Sequence, residues 1–190
     1  MEILPWEDKS LKSFHNRLKE RIYQVRRIGK ISRERGYGWE KTLLRRIKKC
    51  SGWYVFRLGY GSNELPDLLA LSNIEETIMA IECKMTTGNK IIIPGEQIER
   101  NLRCLEAFKK YRRRVCVLAF KFSRSKRIES GVYGGRELKE YYVIYDRPLI
   151  EGEEVPEVTC TYEGGVPNLP SIKMPFQNRI ILMEKKNFTQ

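Results

Sequence analysis

Three acids and a lysine are spaced as a hard divalent cation would want them. Glu40 comes first, then the pair Pro66-Asp67, and, with fourteen residues between, the run Glu82-Cys83-Lys84. Phosphodiester hydrolysis needs such a cation on oxygen ligands, and Mg²⁺ takes one or two protein carboxylates together with waters and phosphate oxygens. Asp67 and Glu82 can be those carboxylates, with the backbone carbonyl of Cys83 close enough to serve as another ligand. A cation there would lower the pKa of a bound water, neutralise charge on the pentavalent phosphorus and align the attack with the leaving oxygen. Lys84 would point at the same water. It would orient the nucleophile, stabilise developing negative charge or, with a depressed pKa, serve as a base. Glu40 would complete the coordination sphere or hold a second metal.

By itself, PD followed by E-x-K recurs by chance, and a surface Glu-x-Lys ion pair on a strand is the plain alternative. Other catalytic kits are scarcer still. The single histidine, His15, sits in a helical pattern ahead of the core, which leaves no Ser-His-Asp or Cys-His arrangement and little prospect of metal-independent RNA cleavage. Cysteines at 50, 83, 104, 116 and 160 are odd in number and lack a C-x-x-C pair, so they read as reduced, mostly buried thiols.

The elements that must carry these groups follow from periodicity. A helix over 37–49 has the stripe Leu43, Leu44 and Ile47, which runs back to Glu40. An acid on a buried-facing stripe needs a cation, an arginine or an open site edge beside it. Strand-like runs follow at 53–58, 67–71 and 77–83. The last two read as a hairpin turning around Asn73 to Glu76, which sets Leu71 opposite Ile78 and Asp67 opposite Glu82. Two like charges across a ladder are destabilising unless something positive sits between them, and a metal ion is the economical answer. Glu82 and Lys84 share one strand face, with Ile81 and Cys83 on the other.

A third helix is expected from Pro94-Gly95 to about Tyr111 on the stripe Ile98, Leu102, Leu105 and Phe108, then a buried strand over 115–120. A flexible cationic loop is expected between Lys121 and Lys139, and a strand over 141–145. The prolines of 148–175 predict an extension wrapping the surface without much regular structure, ahead of a short strand over 179–183. Residues 10–28 read as a basic amphipathic helix. The whole predicts an α/β (α+β) fold: a mixed central β-sheet flanked by helices, divided into an N-terminal helix (1–32), a main domain (33–145) and an acidic, Pro-rich extension packed on it (146–190).

Thirty-six Lys and Arg against 24 Asp and Glu give the 190-residue chain a net charge of +12. Residues 146–165 carry −5 of local charge, so the rest stands at +17. Such a field selects polyanions, nucleic acid first. Lys109, Lys110, Arg112, Arg113 and Arg114 put five cations in six residues, a phosphate-contacting patch, and Arg124, Lys126 and Arg127 add to it from the cationic loop. No apolar run approaches a membrane span and the N-terminus lacks a signal-peptide core, so a cytoplasmic, nucleoid-associated protein without membrane contact is expected.

Longer stretches carry a more specific signal. Arg33 to Lys41 (RERGYGWEK), Arg57 to Ser62 (RLGYGS), Leu65 to Ala70 (LPDLLA), Ile81 to Lys84 (IECK), Gln97 and Val117 to Phe122 (VLAFKF) resemble the archaeal Holliday-junction resolvases of the PD-(D/E)xK nuclease superfamily. The resemblance implies a restriction-endonuclease-like fold and a homodimeric, Mg²⁺-dependent endonuclease, Mn²⁺ serving as substitute, that binds four-way DNA by shape and nicks two opposed strands symmetrically. A two-fold junction with two identical cuts also suits a C2 pair of sites. Matched by position, Glu40, Asp67, Glu82 and Lys84 fall on the family's active-site acids and lysine. Arg57 falls on its arginine near the scissile phosphate, Ser62 in its Gly-Ser loop and Gln97 on its helix-start glutamine. Lys41 stands where arginine is frequent, and Asn63 where glycine is. Two alternatives remain: a related nuclease acting on linear duplex, flap or damaged DNA, and a catalytically silent DNA-binding protein of the same fold.

Overall fold

Residues 34–48 form helix α1 in the computed structural model, which describes residues 34–58, 64–127 and 133–177. The chain divides into two compact units, Met1–Arg35 and Gly36–Gln190, and the architecture below is that of the second. The expected N-terminal helix, the expected strand over 179–183 and Ser62 lie outside the described residues. Trp39, Leu43 and Ile47 recur at helical spacing along α1 and are all but fully buried. Each such side chain contributes about 1.5–3 kcal/mol relative to exposure. Gly52, at φ 76°, turns the chain out of α1 toward the sheet, and a Cβ there would meet the Ile74 side chain at 2.8 Å.

Five strands make the main sheet in the order β1-β2-β3-β5-β6: β1 (Tyr54–Arg57), β2 (Leu68–Ser72), β3 (Thr77–Thr86), β5 (Arg113–Arg127) and β6 (Tyr133–Tyr145). β3 and β5 are parallel and the other neighbours antiparallel. The parallel crossover passes through β4 (Lys90–Ile93) and helix α2 (Gly95–Glu106). The fold is therefore α+β, with helices on both faces of a mixed sheet. One core holds Trp39, Leu43 and Ile47 of α1 against Val55, Leu68, Ile81, Cys83, Val117 and Ala119. The other holds Ile98 and Leu105 of α2 against Ile78, Ala80, Leu118 and Phe120. The β2–β3 register is the expected one, Leu71 facing Ile78, because the turn after Ser72 closes on a Ser72 Oγ contact from the Glu75 N–H and on Thr77 Oγ1 donating to the Glu75 carbonyl.

Three expectations need correction. Helix α2 stops at Glu106, not Tyr111. The N–H groups of Ala107, Phe108 and Tyr111 bond three residues back, and the Arg113 N–H is taken by the Glu76 carbonyl at 3.0 Å, which begins β5. Lys109 and Lys110 thus lie in the turns after the helix, and Arg113 and Arg114 open a strand. Secondly, most of the expected loop is strand: among the described residues β5 runs on to Arg127 and β6 starts at Tyr133, paired from Lys121 with Glu140 to Ser125 with Arg136 and, after a register shift, Arg127 with Tyr133. Its rungs match opposite charges, Lys121 with Glu140 and Arg124 with Glu137, where apolar alternation is missing. Thirdly, the mostly irregular extension contains a strand, β7 (Val158–Thr161), which pairs with β4. Val158, Cys160 and Tyr162 enter one core and Met174 the other, so the extension contributes side chains to both.

Candidate active site

β3 continues beyond the start of β2, and the site is built in that step. Leu68 is the first residue of β2 and faces Ile81, so Glu82, Cys83 and Lys84 extend past it. Asp67, fixed behind the buried Pro66, stands in the gap: its carbonyl accepts the Leu58 N–H at 3.1 Å, and its Oδ2 accepts the Cys83 N–H at 2.8 Å. A carboxylate thus takes the donor that another rung of β2 would have taken. The Cys83 carbonyl points off the same edge of β3, since a strand residue sends its N–H and C=O to one side. The Cys83 thiol is buried on the opposite face from Glu82, and that burial pushes its pKa well up, leaving it inert.

Glu82 is 1% exposed, set among apolar residues beneath α2. Lys84 Nζ donates to its Oε1 at 2.9 Å, and Arg100 Nη2 donates to its Oε2 at 2.6 Å. Glu40 extends from α1 to the same end of the sheet and accepts Arg57 Nε at 2.6 Å, while the Arg57 guanidinium lies 4.3 Å from the Tyr37 ring centre. The acid on the helical stripe therefore has an arginine, one of the partners its position calls for. Asp67 fares differently. Burial, then the charge of Glu82, push its carboxyl up to about 6; the Cys83 N–H pulls it down, Glu40 adds to the rise and Lys84 opposes it. Chain cations pair directly with Glu40 and Glu82, whereas the Asp67 carboxylate accepts a backbone N–H.

Such a donor set suits a hard cation. Among the described residues no three acidic, cysteine or histidine side chains stand close enough to cage an ion. Mg²⁺ needs no cage, only one or two carboxylates with waters and phosphate oxygens, which Asp67, Glu82 and the Cys83 carbonyl could provide.

The match to known proteins places the chain. The description "archaeal Holliday junction resolvase (Hjc)" fits residues 31–146, more than half of it. This chain belongs to the archaeal Holliday junction resolvase family. Membership implies a nuclease that binds branched DNA. The Hjc Holliday junction resolvase of the archaeal hyperthermophile Archaeoglobus fulgidus, a solved structure, is similar at 20% identity with a TM-score of 0.45, over 70% of this chain and 91% of that one. No curated protein matches. The resolvase match takes in Glu40, Asp67, Glu82 and Lys84, and residues 147–177 lie beyond it. Among the described residues no helix is long and apolar enough to cross a membrane.

The expected DNA contacts are scattered. Arg57 sits at the site edge. Gln97, in the first turn of α2, keeps its Oε1 buried and without a hydrogen-bond partner among the described residues. Arg112, Arg113 and Arg114 are exposed at the far end of the sheet: Arg113 faces Thr77, five residues, or about 16 Å, along β3 from Glu82. Arg124 is turned onto Tyr162, 4.6 Å from the ring centre. Lys126 and Arg127 end β5, their side chains outside the described residues. Sequence reasoning missed Arg100. It lies three residues after Gln97, hence one turn along the same helix face, and that spacing was the available signal.

Proposed function

We propose that the chain is a metal-dependent endonuclease that cuts four-way DNA junctions by paired symmetric nicks, acting as a homodimer so that two equivalent sites meet the two-fold substrate. The observation carrying this reading is the convergence of Asp67, Glu82 and Lys84 at the step between β2 and β3, with the Cys83 N–H holding Asp67 at 2.8 Å. Asp67, Glu82 and the Cys83 carbonyl would hold Mg²⁺ or Mn²⁺, which when bound supplies Lewis-acid activation of water and charge neutralisation at phosphorus. The chain's own groups do the rest. Lys84 directs its ammonium along the carboxylate edge, where it orients the attacking water. Arg57, released from Glu40 by an incoming phosphate, offers a guanidinium to the backbone oxygens. Arg112, Arg113 and Arg114, at the far end of β3, would contact a more distant stretch of duplex. Residues 33–145 would form the nuclease domain, with 146–190 packed on it.

Incubation of the full chain with four-way, flap and linear substrates in Mg²⁺ tests the reading. Expected are two nicks at symmetric positions on opposed strands of the junction and intact linear duplex. Linear duplex cut as fast as the junction would replace the resolvase with a general nuclease. Glu82 already engages two cations of the chain, which gives the silent binding protein a specific argument. Junction binding without any cutting in Mg²⁺ or Mn²⁺ would select it.

A further inference from the structure

We propose that Arg100 is the positioning residue for Glu82, setting the orientation in which that carboxylate receives a divalent cation; this rests on the metal-dependent reading above. Glu82 is the one charged group in a continuous buried run of β3, at 1% exposure, and its two oxygens are held by two different kinds of cation. Lys84 holds Oε1 at 2.9 Å from the same strand, with its side chain 31% exposed. Its ammonium is a point charge on a flexible stem, able to move off when a cation or phosphate arrives. Arg100 holds Oε2 at 2.6 Å from a separate element, with its side chain 14% exposed. Its guanidinium is a planar fork that dictates direction as well as charge. The terminal torsion of a glutamate is broad, and a second fixed contact is what narrows it. With Oε2 tied to Arg100, Oε1 is the oxygen turned toward Lys84 and left for a ligand.

The platform for this contact is rigid. Ile98 and Leu105 bury α2 against the sheet at 0% and 4% exposure. The start of α2 is clamped from the other side: Gly95 lies so close to the extension that a Cβ there would come within 1.6 Å of the Val155 carbonyl oxygen. Strand β4, which leads into α2, is paired along its length with β7 of the same extension. An arginine from a helix held at both faces is placed to orient a carboxylate. Its engagement with Glu82 also removes it from the list of phosphate contacts.

The test compares the full chain with Arg100→Met and Arg100→Lys. Three quantities are read: Mn²⁺ binding by calorimetry without DNA, junction binding in Ca²⁺, and single-turnover cleavage in Mg²⁺. Loss of a side chain that orients a metal ligand lowers metal affinity or activity about 10- to 100-fold. We expect Arg100→Met to weaken Mn²⁺ binding about tenfold and to slow cleavage about 30-fold, with junction affinity within about threefold of the parent. Arg100→Lys keeps the charge without the fork and is expected about fivefold slower at a melting temperature within about 2 °C of the parent. Mn²⁺ affinity and rate both unchanged in Arg100→Met overturn the proposal, as does a junction affinity that falls as far as the rate, which would put Arg100 on phosphate. If Arg100→Met does not fold, an Arg100→Lys rate equal to the parent's overturns it equally. A parent that neither binds Mn²⁺ nor cuts the junction removes the functional reading and this inference together; a parent that does both, beside an unaffected variant, removes the inference alone.

Discussion

Two half-buried carboxylates on the main sheet meet cations in opposite ways. Glu140, on β6, accepts Arg46 Nη1 at 2.6 Å and the Tyr142 hydroxyl at 2.7 Å, with Lys121 Nζ 3.6 Å away. Burial alone would raise its pKa, but those hydrogen bonds and the charges of Arg46 and Lys121 outweigh burial and hold it below the usual carboxylate range. Burial, joined by the charges of Glu82 and Glu40, drives Asp67 the other way, to about 6. Arg46 in turn lies over Trp39 and Phe176, so Glu140 locks α1 to β6 and to the end of the described extension. A carboxylate satisfied by its own chain is a latch. A buried carboxylate held by a backbone N–H, with two further acids beside it, is a different kind of site, one whose ionisation is disfavoured.

The contrast is broken most directly by deleting each acid in turn. Asp67→Ala is expected to slow junction cleavage by about a thousandfold, roughly 4 kcal/mol of barrier, with junction binding retained. Glu140→Ala is expected to cut within about threefold of the parent at a temperature where it is folded. Comparable losses of cleavage in the two variants would mean that compensation does not separate site from latch.

Much of the site was legible because local pattern determines it. The turn after Ser72 and the apolar run of β3 fix a register in which a one-residue slip would bury the wrong face, so Asp67 and Glu82 had to meet. Glu40 was readable because α1 has a clean helical stripe. The inner parts of β5 and β6 were readable as strands, but their outer parts, beyond Phe122 and before Tyr141, were not, because rungs such as Ser123 with Leu138 and Arg124 with Glu137 lack apolar alternation. β4 and β7 are four residues each and find one another across more than 60 residues, a pairing no local window contains. Arg100 escaped for a related reason. On a helix, an arginine beside an apolar stripe reads as solvated surface, and only the packing of α2 over Glu82 makes it part of a site.

Stability against pH sharpens the comparison. The folded pKa of Asp67, about 6, lies above its ordinary value of 3.8. Its contribution is favourable below the unfolded value and is lost as pH rises through the folded one. Asp67→Asn keeps an acceptor for the Cys83 N–H without the charge. In chelator it should unfold at the same denaturant concentration as the parent near pH 3.5, and should be more stable by about 2 kcal/mol at pH 8. A variant less stable than the parent at pH 8 would show that Lys84 and the Cys83 N–H already neutralise Asp67.

Glu140→Gln should give the smallest effect, of opposite sign. The folded pKa of Glu140 is depressed, so its ion pairs stabilise the protein above the ordinary carboxylate value of 4.5, and that stabilisation is lost as pH falls through the folded value. Arg46 is 38% exposed and solvent screens the pair, which limits the loss in Glu140→Gln at pH 7 to about 1 kcal/mol. Denaturant midpoints should converge with the parent's once the solution is acidic enough to protonate Glu140, whereas the Asp67→Asn midpoints converge there and diverge as pH rises through 6. Both variants therefore meet the parent in acid and leave it in opposite directions at neutral pH. If Glu140→Gln is instead more stable than the parent at pH 7, burial outweighs the Arg46 and Lys121 charges, and Glu140 belongs with Asp67 among the carboxylates whose ionised form burial disfavours.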